Sequence, residues 1–349
     1  MKQRNILVTI FSLILIASFV WLGGVSHREE GEKQKNSVPG TDIERSRKEK
    51  DPKIGVSIYR YDDIFMKIYR FELKQYLEEE YHAKVIIRNA GGDRDEQKKQ
   101  IDQFIFEGCD GIIINPVDAA DVGTFSDLCF QGKTPLVLVN TEVDEKEAAR
   151  WEEKDMPVSL ISTNSRQAGT YQGQIILESK DQGDKNGDGI ISYALIKGEK
   201  DSEASEYRCE YAIKALRNAG KHTVELFSEN GDWSRESGKK LAESALSVYG
   251  KNIEVIFCSN DAMANGALDA VKELGLIPGK EVDLVGVDAL QDTVQSIKDG
   301  QITGTVLNDH QGQSRLAADT LIKRIKGEPA KTTYLVDYIK ITGTSTLNH

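Results

Sequence analysis

The chain has 349 residues, with 56 acidic and 45 basic side chains and a net charge of −11 at pH 7. This acidic balance argues against a nucleic-acid binder, which would carry a basic patch. The length allows one or two domains with a sizeable core, and 30 glycines against 7 prolines are typical of an ordered α/β protein.

The first 25 residues have the pattern of a targeting segment. Lys2 and Arg4 precede a stretch of 20 residues, 6–25, without a charged side chain. That length spans a bilayer as a helix, and the positive charge before it keeps the N-terminus cytoplasmic and the rest of the chain outside. Two alternatives stay open, namely an uncleaved membrane anchor helix or a signal sequence removed near Gly23 or Gly24. No cysteine near the end of the stretch offers a bacterial lipid anchor.

A globular region is predicted to begin at Asp51. Residues 26–50 are charged and nearly free of apolar side chains, so they predict a flexible tether. From Asp51 onward, apolar runs alternate with amphipathic helical stretches. The runs are 54–59, 84–89, 111–116, 135–140, 159–163, 191–198, 224–228, 254–260, 282–288 and 304–309, and the helical stretches include 65–80, 95–107, 165–179, 234–249, 262–274 and 311–326. This alternation predicts parallel sheets covered by helices, and ten strands favour two doubly wound sheets.

Asn or Asp residues end most of the predicted strands. They are Asp62-Asp63, Asn115, Asn140, Asn260-Asp261, Asp288 and Asn308-Asp309. Helix capping explains two or three of them. The others lie where open α/β sheets bind ligands, and their carboxylates and amides suit a neutral, hydroxyl-rich ligand such as a sugar. No Gly-rich loop with Lys or Arg supports a phosphate ligand.

Two aromatic residues support the sugar interpretation. Phe65 follows Asp63 in the first loop, and Trp233 lies between a predicted strand and a helix. Sugars present apolar C–H faces that pack on aromatic rings. A structural role for Trp233 is the alternative.

Residues 184–192 have the pattern of the start of a calcium loop. Asp184, Asn186 and Asp188 place side-chain oxygens at alternate positions, with Gly189 at the turn. An EF-hand needs a bidentate acid at its twelfth position, where this chain has Leu195. The loop alone is therefore incomplete, and either a distant residue closes the cage or the turn binds no metal tightly.

The four cysteines lack metal-site spacing. Cys109, Cys129, Cys209 and Cys258 fit small buried hydrophobic residues, and a Cys109–Cys129 disulfide is an alternative in an exported protein.

From about Ile54 to the C-terminus the chain resembles the periplasmic galactose/glucose-binding proteins of the type I sugar-binding fold. The segments that match are IGVSIYRYDDIFM, GIIINPVDAA, DKNGDGIISYALIKGE, IEVIFCSNDAMANGA, VGVDAL and GTVLNDHQ. The resemblance implies two α/β domains joined by three crossing strands around a sugar cleft. It places the first domain at 51–162 and 309–340 and the second at 163–308 and 341–349, with crossings near Thr163-Asn164, Asn308-Asp309 and Lys340–Gly343.

The resemblance also implies the sugar contacts. They fall on Asp63, Phe65, Asn140, Arg208, Trp233, Asn260, Asp288 and Asn308. Phe65 and Trp233 would sandwich the sugar ring, and Arg208 would donate hydrogen bonds toward the anomeric end. The chain departs from the family pattern at Ser202, where the family has His, and at Ala204, where it has Asp. These departures leave D-galactose and D-glucose as the leading ligands and the identity of the sugar open.

By the same resemblance, calcium is held by a loop that a distant acid closes. The implied ligands are Asp184, Asn186, Asp188, the Ile190 carbonyl, Ser192 and bidentate Glu254. Ser192 replaces the family's Gln.

No catalytic constellation emerges from the sequence, so we expect a binding protein rather than an enzyme. Two functions are predicted for an extracytoplasmic sugar-binding protein. One is delivery of the sugar to an ABC-type permease, and the other is a membrane-tethered sensor that signals to a histidine kinase. A regulator of the lactose-repressor type shares the fold, but the apolar segment and acidic tether occupy the place of its DNA-binding headpiece.

Overall fold

The computed structural model describes residues 51–343, in which strands and α-helices alternate. The strands are β1 (Lys53–Ile58), β2 (Lys84–Asn89), β3 (Gly111–Asn115), β4 (Leu136–Val139), β5 (Val158–Thr163), β6 (Ile190–Lys197), β7 (His222–Asn230), β8 (Val255–Cys258), β9 (Asp283–Val285), β10 (Gly304–Leu307), β11 (Thr333–Val336) and β12 (Ile339–Thr342). The helices are α1 (Ile64–Tyr81), α2 (Arg94–Phe106), α3 (Val122–Gln131), α4 (Glu145–Glu153), α5 (Ser165–Glu178), α6 (Glu203–Asn218), α7 (Arg235–Tyr249), α8 (Asp261–Glu273), α9 (Gln291–Lys298) and α10 (His310–Ile325).

The first sheet has six parallel strands in the order β2-β1-β3-β4-β5-β11. Its apolar strands β3 and β4 are buried along their whole length. One face packs against α1 and α10, and the other packs against α2, α3 and α4. This sheet and its helices form the first lobe.

The second sheet repeats this plan in the order β7-β6-β8-β9-β10-β12. Its strands are parallel except for β12, which runs antiparallel to β10. Helices α5 and α6 cover one face, whereas α7, α8 and α9 cover the other. This sheet and its helices form the second lobe, so the predicted pair of doubly wound sheets is confirmed.

The chain passes between the lobes three times. It enters the second lobe after β5, returns between β10 and α10, and passes again between β11 and β12. The third passage falls at 337–338 rather than at the predicted Lys340–Gly343, because β12 already pairs with β10 from Ile339 onward. The first-lobe segment therefore ends near Val336, before the predicted residue 340.

The predicted anchor or signal segment 1–25, the tether 26–50 and residues 344–349 lie outside the described residues. Between residues 51 and 343, no helix has the length and apolar character needed to cross a membrane.

Candidate functional site

Seven of the eight predicted sugar residues follow strands of the two sheets, and Arg208 lies within α6. Asp63, Phe65 and Asn140 belong to the first lobe, and Arg208, Trp233, Asn260, Asp288 and Asn308 belong to the second or to its boundary. The two sets of loops face each other, since Arg60 after β1 forms an ion pair with Glu199 after β6. The loops that follow β1 and β6 therefore meet across the space between the lobes.

Helix capping accounts for only part of the Asn and Asp pattern at the strand ends. Asp63 Oδ1 accepts a hydrogen bond from Met66 N at 2.8 Å, and Asn260 Oδ1 accepts one from Met263 N at 2.9 Å, so both cap helices. Asn140 and Asp288 cap no helix. Both have positive φ angles, 47° and 118°, which are uncommon for residues other than glycine and often occur at functional sites.

The first-lobe residues are fixed around the start of α1. Tyr59 Oη donates to Asp63 Oδ2 at 2.6 Å, so both carboxylate oxygens of Asp63 are engaged. Asn140 Nδ2 lies 3.6 Å from the Sδ of Met66, which belongs to the first turn of α1. The Phe65 ring is 6% exposed and has its centroid 6.3 Å from that of His310. The three predicted residues of this lobe are therefore neighbours.

Arg208 is a buried cation of the second lobe. Its Nη1 donates to the Ser259 carbonyl at 2.6 Å, and its Nη2 donates to Tyr338 Oη at 3.1 Å. Among residues 51–343, no carboxylate lies within ion-pair distance of Arg208, and its buried Nε has no hydrogen-bond partner. A guanidinium held in this way can still donate to a ligand.

Asp288 is a buried acid close to the same cation. Its Oδ1 accepts a hydrogen bond from Asn308 Nδ2 at 3.3 Å, and Asn308 Oδ1 accepts one from Gln313 at 2.7 Å. Burial raises the pKa of Asp288 from 3.8 to about 7, with Arg208 opposing the rise and the charge of Asp63 adding to it. The acids of the two lobes therefore influence each other electrostatically.

Trp233 lies beside Arg208 and has a φ angle of 62°. The Arg208 Cζ is 5.8 Å from the indole centroid, and Asn260 Nδ2 donates to the Trp233 carbonyl at 3.1 Å. A Cβ on Gly198 would lie 2.2 Å from the ring, so only glycine admits the indole in this position.

The two positions that depart from the family pattern lie at the start of α6. Ser202 is the N-cap of this helix, and its Oγ accepts a hydrogen bond from Ser205 N at 3.4 Å. Ala204 follows in the first turn, one helical turn before Arg208. Ser202 therefore has a structural role, and Ala204 offers no hydrogen bond.

Sequence reasoning missed three residues that hold the predicted ones. Tyr59 binds Asp63, whereas the Ser259 carbonyl and Tyr338 bind Arg208. Tyr338 belongs to the third passage between the lobes, where Thr163 Oγ1 also donates to its Oη at 2.8 Å. The positions of Tyr59 and Ser259 beside strand ends were the available signal, but Tyr338 becomes visible only through its tertiary contacts.

The loop that carries most of the predicted calcium ligands is bound to Glu254 through its backbone. The buried Glu254 Oε1 accepts hydrogen bonds from Lys185 N at 2.7 Å and Asn186 N at 3.0 Å, and its Oε2 accepts one from Ser192 N at 2.9 Å. Asp184 Oδ1 accepts from Gly187 N at 2.7 Å. Glu254 therefore contacts the loop from about 60 residues away in the sequence.

The donors of this loop are all oxygens, which suits a hard cation such as Ca²⁺. In the described part of the chain, no three His, Cys, Asp or Glu side chains converge at metal-binding distance. A cation here would depend on Asn186, the Ile190 carbonyl and Ser192 as well as on the acids. The buried carboxylate of Glu254 at the loop fits calcium in its chemistry.

The chain matches the family described as "Periplasmic binding protein domain" over residues 54–329. The chain belongs to the periplasmic binding protein family. A curated relative, the D-galactose/methyl-galactoside binding periplasmic protein MglB of Haemophilus influenzae, is 32% identical over 80% of this chain and 83% of its own length. A putative rhizopine-binding protein of Rhizobium meliloti is 27% identical over 83% of this chain and 89% of its own length.

Solved structures share the fold of this periplasmic binding protein. A solute-binding protein from Actinobacillus succinogenes with bound D-allose superposes with a TM-score of 0.73 at 20% identity, over 84% of this chain and 98% of the other. Like its relatives, this periplasmic binding protein is a solute-binding component and not an enzyme.

Proposed function

We propose that this periplasmic binding protein binds a monosaccharide, D-galactose or D-glucose, in the cleft between its lobes. It does so outside the cytoplasm and delivers the sugar to an ABC-type permease. Binding brings the lobes together, because the polar residues that contact the sugar are divided between them.

The observation that supports this proposal best is the state of Arg208. A buried guanidinium without an ion-pair partner carries a large desolvation cost, which the Ser259 carbonyl and Tyr338 Oη offset only in part. Its buried Nε has no hydrogen-bond partner, and its charge opposes the rise in the pKa of the buried Asp288. A ligand with several hydroxyl groups would accept from Arg208 and donate to Asp288 at the same time.

The other residues divide between stacking and hydrogen bonding. Phe65 and Trp233 come from opposite lobes and would pack on the two apolar faces of the sugar ring. Asp63 and Asn140 would bind hydroxyl groups from the first lobe. Asn260, Asp288 and Asn308 would bind the remaining hydroxyls from the second lobe. A hydrogen bond between a hydroxyl and a carboxylate contributes about 1.5–3 kcal/mol, so the acids would supply much of the affinity.

The relatives support a sugar but differ in which one their names state. The MglB relative binds D-galactose and methyl-galactoside, and the structural neighbour holds D-allose. The start of α6, with Ser202 and Ala204, differs from the His and Asp of the family pattern at these positions.

Isothermal titration calorimetry on the purified chain tests the proposal. We expect D-galactose or D-glucose to bind with a 1:1 stoichiometry and D-ribose to bind more weakly. Absence of heat with every aldohexose would refute the sugar assignment.

Calcium is a separate part of the proposal. Asp184, Asn186, Asp188, the Ile190 carbonyl, Ser192 and Glu254 would hold it. The ion would join the loop before β6 to the start of β8, and so brace the second lobe without contacting the sugar.

A second candidate function is that of a membrane-tethered sugar sensor with a histidine kinase as partner. The uncharged stretch 6–25 without a nearby cysteine favours a tethered protein. Cross-linking in membranes of the source cell would distinguish the two functions, since the sensor contacts a kinase and the importer subunit contacts a permease.

A further inference from the structure

Arg60 joins the two lobes through charge. Its side chain leaves the loop after β1 in the first lobe and forms an ion pair with Glu199, which follows β6 in the second lobe. Its Nη2 also donates to the Asp232 carbonyl, after β7, at 2.9 Å. Asp62 Oδ1 lies 3.1 Å from its Nε on the side of the first lobe. One guanidinium thus bridges three segments from two sheets.

Each end of this bridge adjoins a predicted sugar residue. In the first lobe, the Arg60 guanidinium lies 5.4 Å from the centroid of the Tyr59 ring, and Tyr59 Oη donates to Asp63. In the second lobe, Asp232 directly precedes Trp233. Burial raises the pKa of Glu199, and the charge of Arg60 opposes this rise. The bridge and the sugar residues therefore form one connected group.

The sheet order places the bridge far from the hinge. The three passages follow β5, β10 and β11, which lie at or next to one edge of their sheets. Arg60 follows β1, three strands away from β5, which corresponds to about 14 Å at the usual strand spacing. Glu199 and Asp232 follow β6 and β7 at the far edge of the second sheet. Opening at the hinge would separate these groups by more than it separates residues beside the hinge.

A contact near the hinge shows the difference. Glu142 after β4 and Arg166 at the start of α5 also join the lobes, with 3.9 Å between their charged atoms. Arg166 lies three residues after β5, close to the first passage. Rotation about the hinge changes this distance little, so this pair contributes little to the preference for a closed cleft.

The Arg60–Glu199 pair is also shielded from solvent. The side chains are 24% and 33% exposed, against 49% and 36% for the Arg235–Asp269 pair within the second lobe. Partial burial reduces screening by salt and strengthens an ion pair relative to an open surface pair. An interaction that exists only when the lobes are closed adds its free energy to ligand binding, because the ligand also favours that state.

We propose that Arg60 is a positioning residue for ligand capture. Through Glu199 and the Asp232 carbonyl it holds the mouth of the cleft closed over the sugar, and it makes the affinity depend on ionic strength. This inference rests on the proposed function as a closing binding protein, but it does not depend on which sugar binds.

Calorimetry on four variants tests the proposal. Arg60→Ala and Glu199→Gln are each expected to weaken sugar binding about three- to tenfold at low salt, as for a partly buried ion pair. The double variant should be no weaker than Arg60→Ala, which also loses the contact with the Asp232 carbonyl, and Arg60→Lys should restore part of the loss. Raising salt from about 0.02 M to about 1 M should weaken the wild type toward Arg60→Ala, which itself changes little.

Arg94→Ala is the matched control. Arg94 pairs with Asp118 at 2.7 Å and with Asp121 at 2.6 Å, both in its own lobe, so the same charge is lost without a contact between lobes. Its affinity should equal that of the wild type. Wild-type affinity in Arg60→Ala, or additive losses in the double variant, would overturn the proposal that Arg60 holds the cleft closed.

Small-angle X-ray scattering without ligand separates this inference from the sugar assignment. Arg60→Ala is expected to have a larger radius of gyration than Arg94→Ala, because the closed state loses its bridge. Equal radii would overturn the proposed role of Arg60 even if sugar binds. Failure of all sugars to bind, together with a larger radius for Arg60→Ala, would refute the sugar assignment and leave the role of Arg60 supported.

Discussion

Replacement of Asp288 by Asn should change how the stability of the protein depends on pH. Asp288 is 4% exposed, and burial raises its pKa from 3.8 to about 7. Asparagine keeps an oxygen that can accept the hydrogen bond from Asn308, and it tolerates positive φ better than most residues. The variant therefore removes the titration of this group with little change in shape.

The direction in which stability changes with pH follows from the direction of the pKa shift of Asp288. Between the ordinary value of 3.8 and about 7, the native state holds a proton that the unfolded chain has lost. The contribution of Asp288 to stability is thus greatest below this window and is lost as the pH rises through it. The difference between the two pKa values corresponds to a loss of about 4 kcal/mol in the free energy of unfolding at pH values above the window. About 2–3 kcal/mol of this loss occurs between pH 5 and pH 8.

Urea denaturation without ligand measures this effect. We expect the free energy of unfolding of Asp288→Asn, relative to the wild type, to rise by about 2–3 kcal/mol from pH 5 to pH 8. Asp292→Asn, at an exposed position in α9, controls for the loss of one carboxylate. A difference between Asp288→Asn and wild type that stays constant with pH would show that Asp288 is ionised throughout, and would refute the role given to its burial.

Two further predictions concern the sugar ring and the calcium loop. Trp233→Ala should weaken sugar binding at least tenfold, about 1.4 kcal/mol, because one stacking face is lost. Phe106→Ala, which removes a ring that is 92% exposed, should leave the calorimetric affinity unchanged, and an unchanged affinity in Trp233→Ala would exclude the indole from the site. Chelator should lower the melting temperature of the wild type but not that of Asp184→Asn, since bound calcium stabilises only the native state. Equal melting curves for the wild type with and without chelator would contradict a bound calcium ion.

The main strands were predictable because they are buried on both faces. A strand such as Gly111–Asn115 is apolar along most of its length and buried throughout, so a continuous run marks it in the sequence. The strands β11 and β12 have only four residues each and alternate between exposed and partly buried positions over most of their length. Their pairing depends on β5 and β10, which are distant in sequence. The third passage was therefore misplaced by a few residues.

Only part of the candidate site could likewise be predicted from the sequence. Asn and Asp at strand ends are visible in the sequence because the topology of open sheets gives these positions a meaning. Whether such a residue caps a helix depends on its own backbone, as the contrast between Asn260 and Asp288 shows. The Arg60–Asp232 contact joins residues 172 positions apart. No local pattern predicts a contact of this kind.

The start of α6 offers a direct test of how far the pocket has diverged from its relatives. Ala204 lies four residues before Arg208 on the same helix, a spacing at which an acid and an arginine can pair. Ala204→Asp would give Arg208 a carboxylate partner and would place a negative charge in the first turn of α6, where the helix dipole favours it. We therefore expect the variant to be at least as stable as the wild type.

The effect of Ala204→Asp on sugar binding tests whether the pocket still binds an aldohexose in the way that the resemblance implies or is shaped for a different sugar. If the ligand is an aldohexose bound as the resemblance implies, the variant should bind D-galactose or D-glucose about threefold or more tightly, since a carboxylate adds a strong acceptor for a hydroxyl. Ala204→Asn, of the same size without the charge, should gain less. Weaker binding of every aldohexose in a stable Ala204→Asp protein would contradict that pose. It would mean that the space beside Ala204 is filled by the ligand itself, and that the pocket is shaped for a sugar that is bulkier or less polar at this end.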